Sequence, residues 1–134
     1  FPTNVMDYHF RSFTQEIFPV TEARNLGVIG MKSLGGDAQI IKGAGLTATE
    51  CRTYALSLPI STLVCGVESL ENLQQDIEIA RTFQPMNNAE MTTLRERVRE
   101  EATDGRHEWF KTTQYYDSKV HRLQHGFPEE LPKR

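Results

Sequence analysis

Two short segments carry residue types that could hold a phosphate. The first, Met31-Lys32-Ser33-Leu34-Gly35-Gly36, sets two glycines, a hydroxyl and a lysine in one stretch. Glycines there let backbone N–H groups approach an anion closely, and the lysine adds positive potential. The second, Gly66-Val67-Glu68-Ser69-Leu70-Glu71-Asn72-Leu73, opens a helix. A helix N-terminus presents free N–H groups and partial positive charge, which suit the same ligand. Each segment also has a plainer reading, a glycine-rich turn in the first case and a capped helix start in the second. Neither matches the dinucleotide fingerprint Gly-x-Gly-x-x-Gly or the P-loop.

Three other groups of residues could do chemistry. Asp117, His121 and His125 recur at a spacing of four, so a helix would put them on one face as metal ligands. Lys119 and Arg122 beside them point instead to an ordinary solvated face. Asp7, Tyr8 and His9 gather acid and base types at one place. The run Trp109 to Tyr116 is rich in aromatics. It serves either as a lid over a pocket or as an anchor that buries a C-terminal extension. Cys51 and Cys65 are expected to pack as small hydrophobes.

These residues need elements to position them. Thr3 to Met6 reads as short and extended. Ser12 and Thr14 offer caps for a helix in which Phe13, Ile17, Val20 and Ala23 recur at helical spacing, with Pro19 as a kink or a restart. Gly27 to Lys32 is a short apolar run, read as a strand buried on both faces. Thr47 and Glu50 fit a capping box for a helix whose apolar face is Cys51, Tyr54, Ala55 and Leu58. Thr62 to Cys65 reads as a second buried strand. Ser69 caps the next helix, with Leu70, Leu73, Ile77 and Ala80 on its inward face. Asn88 caps another, with Met91, Leu94, Val98 and Ala102 inward and Gly105 as its stop. Strands that alternate with helices imply parallel pairing and right-handed crossovers. Open sheet edges would then call for a second chain to cover them.

Taken together, the two loops and their strands resemble a family. Gly27 to Gly36 and Leu63 to Leu73 look like the last two strands and loops of an aldo-keto reductase, and Pro2-Thr3-Asn4-Val5 looks like the end of that family's sixth strand. The likeness covers roughly residues 1–100. It implies an α/β fold, the C-terminal portion of a (β/α)8 TIM barrel with an additional C-terminal helix and tail. Residues 1–86 would hold the last three strand–helix units, and residues 87–134 the final helix and aromatic tail. It also implies a nicotinamide cofactor, NADP or NAD, and a small carbonyl or alcohol substrate. Met31 would pack on the nicotinamide ring, and Lys32, Ser33, Leu34 and Gly35 would line the pyrophosphate. Gly66, Val67 and Glu68 would meet the adenosine ribose, and Asn72, Gln75 and Asp76 the adenine. Glu68 repels a 2′-phosphate but can accept a hydrogen bond from a free 2′-hydroxyl, which opens the choice to NAD. The family's catalytic Asp, Tyr, Lys and His have no counterparts in this sequence. By the same likeness, Asp7, Tyr8 and His9 sit in a loop beside the substrate. The alternative to a cofactor-binding part is a non-catalytic half-barrel that pairs with another chain.

Composition narrows the partners. A net charge of -3 supplies no basic face for nucleic acid. No apolar run approaches the ~18 residues that a spanning helix needs, so no membrane is expected. Two cysteines do not make a disulfide scaffold, and the expected compartment is the cytoplasm. The start at Phe1 points to a fragment, a processed chain or a trimmed one.

Overall fold

The computed structural model describes residues 1–112 and Leu123. It is mostly helical, with helices α1 (Phe13–Ala23), α2 (Gln39–Ala44), α3 (Ala48–Leu56), α4 (Leu70–Thr82), α5 (Asn88–Arg97) and α6 (Trp109–Thr112). Short 3-10 turns cover Met6–His9 and Glu100–Ala102. Two parallel strands, β1 (Ile29–Gly30) and β2 (Thr62–Leu63), pair in register Ile29 to Thr62 and Gly30 to Leu63.

This overturns the expected barrel portion. The described residues do not form three barrel strands, and Pro2 contributes only an isolated parallel bridge to Met31. The ladder stops where the backbone leaves the extended region: Lys32, just beyond Met31, sits at φ 54. Pro2 adds no N–H to the ladder. The strands are also not buried on both faces, since Ile29 and Val64 are more than half exposed. An apolar run therefore marked a strand here without marking what covers it.

Several helix ends follow from their sequence. Ser12 Oγ accepts from Gln15 N at the start of α1, and Ser69 Oγ accepts from Asn72 N at the start of α4. Thr47 and Glu50 form the complete capping box of α3. A second capping box, Asn87 with Glu90, opens α5 one residue before the expected Asn88. Pro19 is accommodated inside a single helix α1. The glycine-rich connection between β1 and α3 contains α2, whose preceding residue Ala38 is left-handed at φ 55.

One apolar cluster unites Val5, Met6, Ile40, Leu46, Cys51, Tyr54, Met91, Leu94, Val98 and Ala102. It draws on the N-terminal segment, α2, α3, α5 and the turn after α5, and so packs residues 91–102 onto the 1–86 part. Glu50 reinforces this join: its Oε1 takes Arg97 Nη1 at 2.6 Å, which holds the Glu50 carboxyl below its ordinary range. The inward face expected for α4 is not realised. Leu70, Leu73 and Ile77 are exposed, and Ile79 is the buried residue of that helix. Among the described residues no helix is long and apolar enough to cross a membrane.

Candidate functional site

The end of β1, the approach to α2, and the start of α4 enclose one cavity of about 460 Å³. That volume lies within the ~300–1,000 Å³ of ordinary small-molecule sites. The parallel pairing explains why the two loops meet. Val64 N donates to Gly30 O at 2.8 Å, so the chain leaves both strands on the same side. Ligands in parallel α/β units bind beyond those C-terminal strand ends.

Eight of the residues singled out from the sequence line this cavity: Lys32, Ser33, Leu34, Gly35, Gly66, Glu68, Asn72 and Gln75. They come from two stretches about thirty positions apart, the loop after β1 and the loop and first turns of α4. Three of the singled-out residues do not line it. Met31 bridges to Pro2 and is 37% exposed, and Val67 points outward at 50% exposure. Asp76 lies behind the wall, paired with Arg52 Nε at 2.7 Å.

The glycine-rich wall is conformationally unusual. Lys32, Asp37 and Ala38 all have positive φ, near 54°, and all line the cavity. Such backbone costs a non-glycine residue roughly 1–3 kcal/mol and clusters at ligand sites. Two features favour glycine at Gly35. Its φ is +76°, and a Cβ there would lie 3.1 Å from the His107 carbonyl oxygen. At Gly66 a Cβ would meet nothing within 4 Å, so the backbone there faces open space.

The wall also contains residues that sequence reasoning did not select: Asp37, Ala38, Ile41, Lys42, Ala48, Arg52 and Val64. Arg52 is the most telling of these. It is 4% exposed and sits one turn beyond Ala48 on α3, so both face the cavity. It approaches Asp76 as an ion pair and not as a hydrogen bond. Arg52 Nε and Nη1 and both Asp76 oxygens are thus buried without one. The available signal was an arginine beside the otherwise apolar Cys51, Tyr54 and Ala55. Lys42 Nζ donates to the Asp37 carbonyl at 2.8 Å, which braces the mouth of α2. The cationic side chains of the wall are Lys32, Lys42 and Arg52, and the anionic ones are Asp37 and Glu68.

Asp7, Tyr8 and His9 do not form a reactive group. Asp7 is fully buried and accepts from Ser12 Oγ, Phe13 N, and both Thr14 N and Thr14 Oγ1, which fixes the start of α1. Tyr8 packs under the Arg95 guanidinium, 4.2 Å from the ring centre, and His9 Nε2 meets Arg95 O at 2.9 Å. Cys51 is buried as expected, and burial pushes its thiol up to about 12. Cys65 is half-buried, and burial raises its thiol too, against the opposing pull of Arg52. Among the described residues no cluster of metal-ligating side chains occurs. Asp117, His121 and His125 lie outside the described residues, as does the aromatic run beyond Thr112.

Comparison of the chain with protein-family models, curated proteins and solved structures gave no match.

Proposed function

We propose that this chain binds a nicotinamide dinucleotide, NAD or NADP, in the cavity between its two loops. It would act as the cofactor-holding part of an oxidoreductase for a small carbonyl or alcohol. The observation that carries this reading is the convergence of eight residues, chosen for phosphate and nucleoside chemistry, on one cavity. Lys32, Ser33 and Gly35 would hold the pyrophosphate, and Gly66 leaves the backbone open to the adenosine. Glu68 would accept a hydrogen bond from a free ribose hydroxyl. Asn72 and Gln75 would meet the base. When bound, the cofactor supplies the hydride; this chain's residues bind and orient it. The general acid for the carbonyl oxygen would come from elsewhere in a complete enzyme.

The test is titration of the full chain with NADH and with NADPH, read by Trp109 fluorescence. Saturable quenching by either supports the reading. No saturable change, with calorimetry also flat, rejects it.

A second reading, a structural module that pairs with another chain, is favoured by one observation. Leu70, Leu73 and Ile77 on α4 are 64%, 41% and 41% exposed, an apolar stripe not covered by the described residues. Light scattering over a concentration series tests self-pairing; a monomer at every concentration removes that form of it.

A further inference from the structure

We infer that residues 105–112 form a strap that positions the glycine-rich wall of the cavity, with Lys111 as the positioning residue. The inference deepens the nucleotide reading and rests on it for its ligand.

The strap is anchored at one end by buried charge. Lys111 Nζ lies 2.7 Å from Asp7 Oδ1 and 2.9 Å from Glu108 Oε2, and it donates to the Phe10 carbonyl at 2.8 Å. Asn4 Nδ2 donates to Glu108 Oε1 at 2.8 Å, and Arg11 Nη1 donates to the Lys111 carbonyl at 2.6 Å. The Asp7, Glu108 and Lys111 side chains are at most 1% exposed. Charges so deeply buried keep their place only while paired, which fixes this end of the strap, although Glu108 Oε2 has the ion pair with Lys111 without a hydrogen bond. Gly105 fits the same seat, with φ +75° and the Phe10 ring 2.7 Å from where a Cβ would be.

From that anchor the strap touches the cavity wall at three places. The His107 carbonyl abuts Gly35. The His107 ring lies on Gly43, where a Cβ would sit only 2.0 Å from Cε1. Lys32 Nζ lies over the Phe110 ring, 5.0 Å from its centre. Lys32 and Gly35 line the cavity directly, and Gly43 follows Ile41 and Lys42, which also line it. His107 is in turn held by Glu101, with Nε2 2.9 Å from Oε2. The wall itself is built from left-handed, strained residues, so it needs outside support to keep one shape. The strap supplies that support without a contact to the ligand.

A purely structural cluster would lower overall stability and leave the wall no looser than the rest of the fold. Amide hydrogen exchange separates the two cases, with α3 as the internal reference. The variants are Lys111→Met, which removes the anchor, and His107→Ala, which removes the Gly43 contact and leaves the buried ions intact. Both are compared with the full wild-type chain, along with NADH affinity by calorimetry. Faster exchange across residues 33–45, with α3 unchanged, and NADH binding weakened about tenfold are expected. Unchanged exchange across 33–45 in His107→Ala, or loss confined to a uniform rise across the whole fold in both variants, overturns the strap. If the wild-type chain binds no NADH, the nucleotide reading falls alone, because the exchange arm still decides the strap.

Discussion

Replacing Asp7 by Asn is a stringent probe of how the N-terminal segment is held. Asp7 is fully buried, accepts four hydrogen bonds from Ser12, Phe13 and Thr14, and pairs with Lys111 at 2.7 Å. Asparagine keeps one oxygen for the three bonds that Oδ2 accepts and puts an NH2 where Oδ1 faces Phe13 N and Lys111, so the ion pair and one backbone hydrogen bond are lost together. Removing one partner of a buried pair costs about 3–5 kcal/mol. Lys111 keeps Glu108 at 2.9 Å and the Phe10 carbonyl at 2.8 Å, which places the expected loss at the lower end, about 3 kcal/mol. For a chain of this size that corresponds to a fall in Tm of about 10 °C. The assay is urea unfolding at neutral pH, followed by circular dichroism, with exposed Glu78→Gln as the control. The control should stay within about 0.5 kcal/mol of the wild type. A double-mutant cycle with Lys111→Met should return a coupling of about 2 kcal/mol. A loss under about 1 kcal/mol, or no coupling, would refute the claim that this pair is buried and energetically joined.

Three other perturbations test separate parts of the account. Asp76→Ala leaves the buried Arg52 unpaired and should cost about 3 kcal/mol, whereas Arg52→Met with Asp76→Leu should restore most of it; equal losses in both variants would contradict the pairing. Glu68→Arg should shift preference toward NADPH by about tenfold, through a charge-assisted bond to the 2′-phosphate; unchanged or weaker NADPH binding in calorimetry would contradict the placement of that loop. Burial raises the Cys51 thiol from 9.0 to about 12, so the folded state holds that proton more tightly than the unfolded state. The resulting stability is complete below pH 9 and is lost as pH rises from 9 toward 12, at most about 4 kcal/mol. Cys51→Ala should flatten that alkaline decline in a urea series, and an unchanged slope would count against it.

Local signals proved the most legible part of the sequence. Thr47 with Glu50 and Ser69 with Asn72 N are contacts within four residues, and their chemistry is written in the residue types. Periodicity gave the stripe on α5 correctly, since Met91, Leu94 and Val98 are buried. On α4 the same reasoning failed. Leu70, Leu73 and Ile77 do make a stripe, but a stripe does not state that anything lies on it. The barrel expectation failed for a related reason. Apolar runs at 27–32 and 62–65 were read as strands buried on both faces, yet left-handed Lys32 and the exposed faces of Ile29 and Val64 leave two-residue strands that are not. Much of the candidate site was legible because its residues lie in two contiguous stretches, the loop after β1 and the loop-to-helix start of α4. Arg52 was not, since its partner Asp76 is twenty-four positions away and only folding joins them. The Asn4–Glu108 contact spans 104 positions and had no local signal at all.

The central claim is that the two loops make one nucleotide site, and amide shifts measured during an NADH titration of the full chain test it most directly. The account predicts saturable shifts concentrated at Lys32 to Gly35 and at Gly66 to Gln75, with α5 little changed. Shifts scattered over the surface, shifts centred on another face, or no saturation would contradict it.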